Sequence, residues 1–407
     1  MVNWTWYPSG GDWTYVENLK EIYEANGHHV IPFSMIDEKN LPTPYSQYFI
    51  KNIDYKELNK KNKIIAGFEV LSKSIYSFEA INQLKRLLKN HKVGLAHLNL
   101  IHRYLTPAIL RILKEANIPI VWTLHDYTII CPESTFISNN IICEACKGGN
   151  FYEATIKKCK KNSILASGVA SLENYVYHFL DYYSYVDYFI CPSKFHYLKF
   201  KEFNFFNDRL FQVYHSYKGN NLFQKNYKRE KASQRFIVYV GRLEKIKGVL
   251  TLLRAMKNCK DINLKIIGDG SQENELKNFT LKENLKNVEF LGKKNKEEIL
   301  TVLDESDFLV CPSEWYEVLG FTIVEAMFMN KPVIGSNIGA IPELVIDNET
   351  GLLFESGNAE NLSKKIKYLY SQPEMILNLG IKAGKYIREL TNPSQYYENL
   401  KSFISCL

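Results

Sequence analysis

The stretch SEWYEVLGFTIVEAM, residues 313–327, sets two glutamates, Glu317 and Glu325, eight positions apart in a mostly apolar run. Upstream, VGRLEKIKG (240–248) puts Arg242 and Lys247 in a loop that leaves a predicted strand. Strand ends of open α/β sheets are where ligands bind. Two cations there can clamp a pyrophosphate, the arginine through its planar fork and the lysine as a point charge. The competing reading is an exposed basic loop. Gly320 precedes a predicted helix, and the amides of Gly320, Phe321 and Thr322 would point out of an N-terminus that attracts phosphate. Thr322-Ile-Val-Glu325 has the form of a capping box, which gives Glu325 a structural reason. Glu317 falls in the loop before that helix and has no comparable one. Carboxylates beside a phosphate are unfavourable unless they accept hydrogen bonds from hydroxyls. A ligand bearing both phosphates and hydroxyls, a nucleotide sugar, fits this set.

Two further groups carry chemistry. His125 ends the predicted strand IPIVWTLHD (118–126), where it can orient a sugar or an acceptor by hydrogen bonds. His97, inside VGLAHLNL, reads as core or scaffold. Cys131, Cys143, Cys146 and Cys159 form C-x11-C-x2-C-x12-C, a set compatible with a four-thiolate structural zinc site. The alternative is four reduced thiols beside an acceptor site. Cys191, Cys259 and Cys311 lie in apolar runs and read as packing residues. No G-x-G-x-x-G follows a strand, which disfavours a dinucleotide dehydrogenase.

The elements that must position these residues alternate short apolar, β-rich runs with helical periodicity, the pattern of α/β folds with parallel sheets. Strands are predicted at 28–35, 93–100, 118–126 and 186–193, and again at 235–241, 263–270, 288–292, 307–313 and 331–336. A helix is predicted over 12–26, with Asp12 as N-cap, Trp13, Val16, Leu19 and Tyr23 as its apolar stripe, and Gly27 just past its end. The first strand, MVNWTW, is short. A polar, lysine-rich linker is expected over 213–234, so the chain divides into domains at 1–218 and 219–392, with helix 393–407 returning to the first. Its 407 residues exceed what one core usually supports. With 46% hydrophobic and 23% charged residues and a net charge of +7, the composition is that of a soluble globular protein. The lysine clusters are short, with no basic arm of the nucleic-acid type. The N-terminus lacks the form of a signal peptide, and no apolar run reaches 18 residues, so a cytoplasmic location is expected. Tyrosine-rich helices at 165–190 beside lysines fit contact with the inner face of the cytoplasmic membrane as well as domain packing.

VGRLEKIKG, LKIIGDG, CPSEWYEVLGFTIVEAM and KPVIGSNIGAIPELVIDNETGLLF, in this order, resemble the donor half of the family 4 glycosyltransferases. Glu317 to Glu325 matches that family's E-x7-E signature. PSGGDWTYVENL, GHHVIPFSM, VWTLHDYTIICP, CEACKGGNFY and VDYFICPS are similar to a subgroup that builds bacterial surface polysaccharides, so the resemblance covers nearly the whole chain. Ala340, where a second glycine is common, is a departure. The resemblance implies the GT-B fold of two Rossmann-like domains facing each other across a cleft. It also implies retaining transfer from a UDP- or GDP-sugar to a glycan or lipid-linked glycan, without a catalytic metal. Arg242 and Lys247 would then neutralise the diphosphate, Glu325 hold the ribose, Glu317 hold the transferred sugar, and His125 contact sugar and acceptor. Gly268 and the amides at Gly320, Phe321 and Thr322 would line the donor, with Gly10 and Gly11 approaching from the other domain. The alternatives are a nucleotide-sugar 2-epimerase of the same fold, whose acid and base groups are not identifiable here, and a nonenzymatic nucleotide-sugar or lipid-carrier binding protein.

Overall fold

The computed structural model describes residues 1–51, 75–219 and 234–404. Most of the expected linker, residues 220–233, lies outside them. The chain divides into two compact units, Met1–His215 with Pro393–Leu407, and Ser216–Asn392.

The first unit is built on β1 (Ala96–Leu98), β2 (Ile120–Thr123), the hairpin β3 (Ile137–Ser138) and β4 (Ile141–Ile142), β5 (Tyr188–Cys191) and β6 (Leu210–Gln212). Its main sheet runs β1-β2-β5-β6, all parallel. β1 and β2 are buried throughout, as expected of strands covered on both faces. The short N-terminal segment extends this sheet by single bridges, with Val2 between Leu98 and Phe33. Residues 28–35 therefore contribute isolated bridges instead of the expected strand. Pro32 stands inside that run and cannot donate to a ladder. The first helix, Gly11–Ala25, buries Trp13, Tyr15, Val16, Leu19, Ile22 and Tyr23. Its N-cap is Gly10, and Asp12 sits inside the first turn, not at the cap. At its end Gly27 (φ +81°) donates to the Glu24 carbonyl at 3.1 Å and His28 to the Tyr23 carbonyl at 3.0 Å. These are the two bonds of a Schellman stop. The helix Pro393–Ile404 belongs to this unit and buries Tyr396 and Leu400. The Tyr396 hydroxyl lies 2.6 Å from that of Tyr15.

The second unit is a six-stranded parallel sheet of β7 (Phe236–Val240), β8 (Asn263–Ile267), β9 (Val288–Gly292), β10 (Leu309–Cys311), β11 (Val333–Ser336) and β12 (Gly351–Phe354). Its order is β12-β11-β10-β7-β8-β9. Counted within the unit, this has the form of the Rossmann arrangement, in which two halves wind outward from neighbouring central strands. The order reverses between β7 and β10, so a crevice opens beyond their carboxyl ends. Ile237, Leu252, Leu264, Val310, Ile334 and Ile366 belong to the core beneath it.

Candidate functional site

The loops beyond β7, β10 and β11 meet backbone to backbone. After β7 the chain makes a single helical turn, Lys245–Lys247, and enters the helix Val249–Met256 through Gly248 at φ +66°. A Cβ on Gly248 would lie 1.9 Å from the Pro312 carbonyl oxygen, so only glycine lets the β7 and β10 loops come this close. The Glu314 amide donates to the Ile246 carbonyl at 2.8 Å, and the Thr251 hydroxyl meets the Glu314 carboxylate at 2.5 Å. From behind, Gly339 (φ +60°) in the loop after β11 presses on Glu317, where a Cβ would stand 2.5 Å from the Glu317 nitrogen. The Ala340 amide donates to the Glu317 carbonyl at 2.9 Å. Three loops therefore fix one carboxylate.

Glu317 is 6% exposed. Its Oε1 accepts from Lys247 Nζ at 2.6 Å and from the Ser313 hydroxyl at 2.6 Å. Burial alone would raise its pKa, but the Lys247 ammonium and these hydrogen bonds outweigh it and hold the carboxyl below its ordinary range. The Lys247 ammonium also sits 4.9 Å from the centre of the Trp315 ring. Arg242, in the same loop as Lys247, is exposed. No ion pair of its guanidinium occurs among the described residues. Its carbonyl accepts from the Tyr239 hydroxyl at 2.8 Å. Gly268, at the end of β8, packs against Gly241, whose carbonyl oxygen a Cβ there would approach to 1.9 Å.

The helix after Glu317, Phe321–Phe328, starts from Gly320 at φ +99°, and no side chain caps it. The expected capping box is not formed. With Gly320 as N-cap, Thr322 is the second helical residue and Glu325 the fifth, too far along to reach back to the cap. Glu325 is buried and pairs instead with Lys296, at the start of the helix Lys296–Glu305. The two glutamates of the E-x7-E pattern thus each take a lysine, as Lys247–Glu317 and Lys296–Glu325, in one unit. Ser313, Trp315, Lys296 and Gly339 were not singled out by sequence reasoning. The place of Ser313, Trp315 and Gly339 inside the quoted motifs was the available signal; Lys296 had none, since contact between distant segments leaves no local pattern.

The remaining expected residues lie in the first unit. Gly10 (φ +139°) and Gly11 begin the helix Gly11–Ala25, which no side chain caps. His125 is half-buried, its Nε2 3.0 Å from the Asn99 carboxamide oxygen, and burial pushes its pKa down to about 3. His97 is a scaffold residue: Nε2 meets the Thr123 hydroxyl and Nδ1 the Tyr23 hydroxyl, each at 2.8 Å. Among the described residues, no three His, Cys, Asp or Glu side chains are arranged to hold a metal ion. Cys131, Cys143, Cys146 and Cys159 are free thiols, and Cys146 feels the charge of the other three. Cys146 is buried with Phe151 and Ala154, with Cys159 against them, and burial raises its thiol to about 12. In this unit Arg103 also meets Glu173 of the helix Ile164–Phe179, and Lys160 meets Glu133, each pair 3.6 Å apart.

Residues 221–386 match the family model described as Glycosyl transferases group 1. An uncharacterized glycosyltransferase of Methanocaldococcus jannaschii is 26% identical over 388 residues, 95% of this chain and 92% of that one. The sucrose-phosphate synthase of Thermosynechococcus elongatus has the same fold, with a TM-score of 0.71 at 20% identity over 100% of this chain and 98% of that one. So does Anabaena HepE in complex with UDP and glucose, with a TM-score of 0.62 at 16% identity over 100% and 98%. The fold is GT-B, with two Rossmann-like units. In the second unit, the Lys247–Glu317 pair stands at the reversal of strand order.

Proposed function

We propose that this protein is a retaining, metal-independent glycosyltransferase that moves a sugar from a UDP- or GDP-sugar to a glycan or lipid-linked glycan, in the synthesis of a surface polysaccharide. The observation that carries this reading is the pair of half-buried Lys247 with buried Glu317, in the unit that also exposes Arg242, at the point where the Rossmann order reverses. The UDP complex of the Anabaena structure supports a nucleotide as the ligand.

The pair implies an exchange. A donor diphosphate brings negative charge to Arg242 and Lys247, which draws the Lys247 ammonium from Glu317. The released carboxylate then accepts from hydroxyls of the transferred sugar. Glu325 and Lys296 repeat this logic at the ribose, and the uncapped helix start at Gly320–Thr322 faces phosphate or sugar oxygens. When the sugar–oxygen bond breaks, charge grows on the leaving diphosphate, and preorganised cations and amides stabilise it; losing one such donor costs ~3–4 kcal/mol in barrier. The acceptor hydroxyl attacks the face from which the diphosphate leaves, and a phosphate oxygen takes its proton. His125, neutral because of burial, offers hydrogen bonds to sugar or acceptor without adding charge. An epimerase of the same fold is less favoured, because the family match is to glycosyltransferases.

Screening UDP- and GDP-sugars for thermal stabilisation and for slow donor hydrolysis tests the reading. A sugar nucleotide that both stabilises and is hydrolysed is expected. Stabilisation by none of them would overturn it.

A further inference from the structure

The helix Ile164–Phe179 in the first unit has an inverted solvent face. Its inward residues include Ser167, Ser171, Glu173 and Asn174 beside Ala170 and Tyr177. At ~100° per residue, Leu165, Leu172, Tyr175 and Phe179 fall within an arc of ~80° on the opposite side, an arc without a charged residue. All four are exposed, Phe179 at 87%. The adjoining helix Tyr152–Ile156 packs alongside, with its Tyr152 amide donating to the Tyr175 hydroxyl at 3.2 Å and Thr155 to Ser171 at 3.0 Å. It carries Ile156, 67% exposed. A surface helix ordinarily turns its charges to water and its apolar stripe to the core. Here the stripe is covered along one edge only, where Phe151 lies 5.2 Å from the Tyr175 ring, and Leu165, Leu172 and Phe179 stay exposed.

Lysines join the two helices. Lys158 and Lys161 are exposed, both at positive φ (51° and 52°), and neither has an ion pair among the described residues. The 16-residue helix is too short to cross a bilayer core, which takes ~20 residues. No described helix is long and apolar enough to do so. An apolar helical face with basic residues at its end, carrying aromatic rings, matches the interface of a bilayer whose headgroups are anionic.

We propose that this face, Ile156 with Leu165, Leu172, Tyr175 and Phe179, flanked by Lys158 and Lys161, docks the protein in-plane on an anionic membrane surface. The apolar residues enter the headgroup–acyl boundary while the two ammonium groups meet lipid phosphates. A bilayer fits better than a protein groove because the lysines supply charge complementarity to a uniformly anionic sheet.

The test is co-sedimentation of the full chain with phosphatidylcholine vesicles containing or lacking phosphatidylglycerol, read without nucleotide, so that failure of the transfer reading leaves it untouched. Binding to the anionic vesicles only is expected. Leu172→Ser with Phe179→Ser should weaken it at least ~10-fold, and Lys158→Glu with Lys161→Glu likewise, the first through lost apolar insertion and the second through repulsion. Circular dichroism and the melting temperature of both variants should stay at wild-type values; the lysine pair, lying outside the helices, keeps the test valid if the serine pair folds poorly. No binding by the wild type, or binding unchanged by both variants, would overturn the proposal. So would a wild-type dimer in light scattering that the serine substitutions convert to monomer, since a second copy would then cover the face.

Discussion

At the scale of residues, the decisive feature is a carboxylate kept ionised in a dry place. Glu317 is buried yet held below the ordinary glutamate range by Lys247 and Ser313. Removing one partner of a buried pair leaves the other uncompensated. Lys247→Met should therefore cost ~3–5 kcal/mol of stability at neutral pH, measured by urea unfolding. The sign with pH follows from the lowered pKa: this stability is present above the unfolded value of about 4.3 and lost as pH falls through the folded one. The deficit of the variant should narrow in acid, and a deficit constant with pH would contradict the pairing. The histidines run the other way in mechanism and the same way in sign. His97 is buried against Tyr15, Tyr23 and Thr123, and burial, with the nearby N-terminus and His125, lowers its pKa to about 3. The unfolded chain binds a proton near pH 6.5 and the folded one does not, so stability falls as pH drops below about 6.5. One such histidine costs about 2 kcal/mol at pH 5. His97→Gln should be less stable than wild type at pH 7.5 and should lose less on moving to pH 5. Equal losses would contradict it.

At the scale of elements, strands set in longer apolar, β-rich runs were legible, and two built mainly of leucine and phenylalanine were not. FIVYV and VIGS announced β7 and β11, whereas LFQ of β6 and GLLF of β12 fit a helix equally well on pattern. Arg242, Lys247 and Glu317 were readable because each follows a legible strand. The loss of the capping box was not, because it depends on the backbone at Gly320 and not on residue types. Nor was the support of Glu317 by Gly339, which comes from a loop more than twenty positions away. Gly339→Ala tests this support. Its Cβ would meet the Glu317 backbone at 2.5 Å in a φ that alanine adopts poorly, so the β11 loop must shift and move the carboxylate. A displacement of this kind is expected to cost ~100-fold in transfer rate. A rate within a few-fold of wild type would show that Glu317 is held by other means.

At the scale of the whole molecule, two units with separate sheets give ligand binding a local signature. The residues proposed to hold the donor, Arg242, Lys247, Glu317 and Glu325, all lie in the second unit. UDP at ~100 times its Kd should stabilise that unit by about 2.7 kcal/mol. Hydrogen exchange at the slowest amides of β7 and β10 should then slow by ~100-fold, with those of β2 and β5 less affected. Equal protection of both units would contradict a donor site confined to these residues. The two-unit organisation was legible in the recurrence of β-rich runs on either side of a polar segment. The face of the helix Ile164–Phe179 was only half legible, because its tyrosines and leucines are the same residues that packing would use. The most direct measurement compares Glu317→Ala with wild type in two assays, glycosyl transfer and UDP binding. Transfer should fall by at least ~100-fold, in line with loss of one preorganised group. UDP binding should be as tight as in wild type or tighter, because Lys247 no longer has to leave a carboxylate. Undiminished transfer, or loss of UDP binding in step with transfer, would contradict the exchange of Lys247 from glutamate to diphosphate.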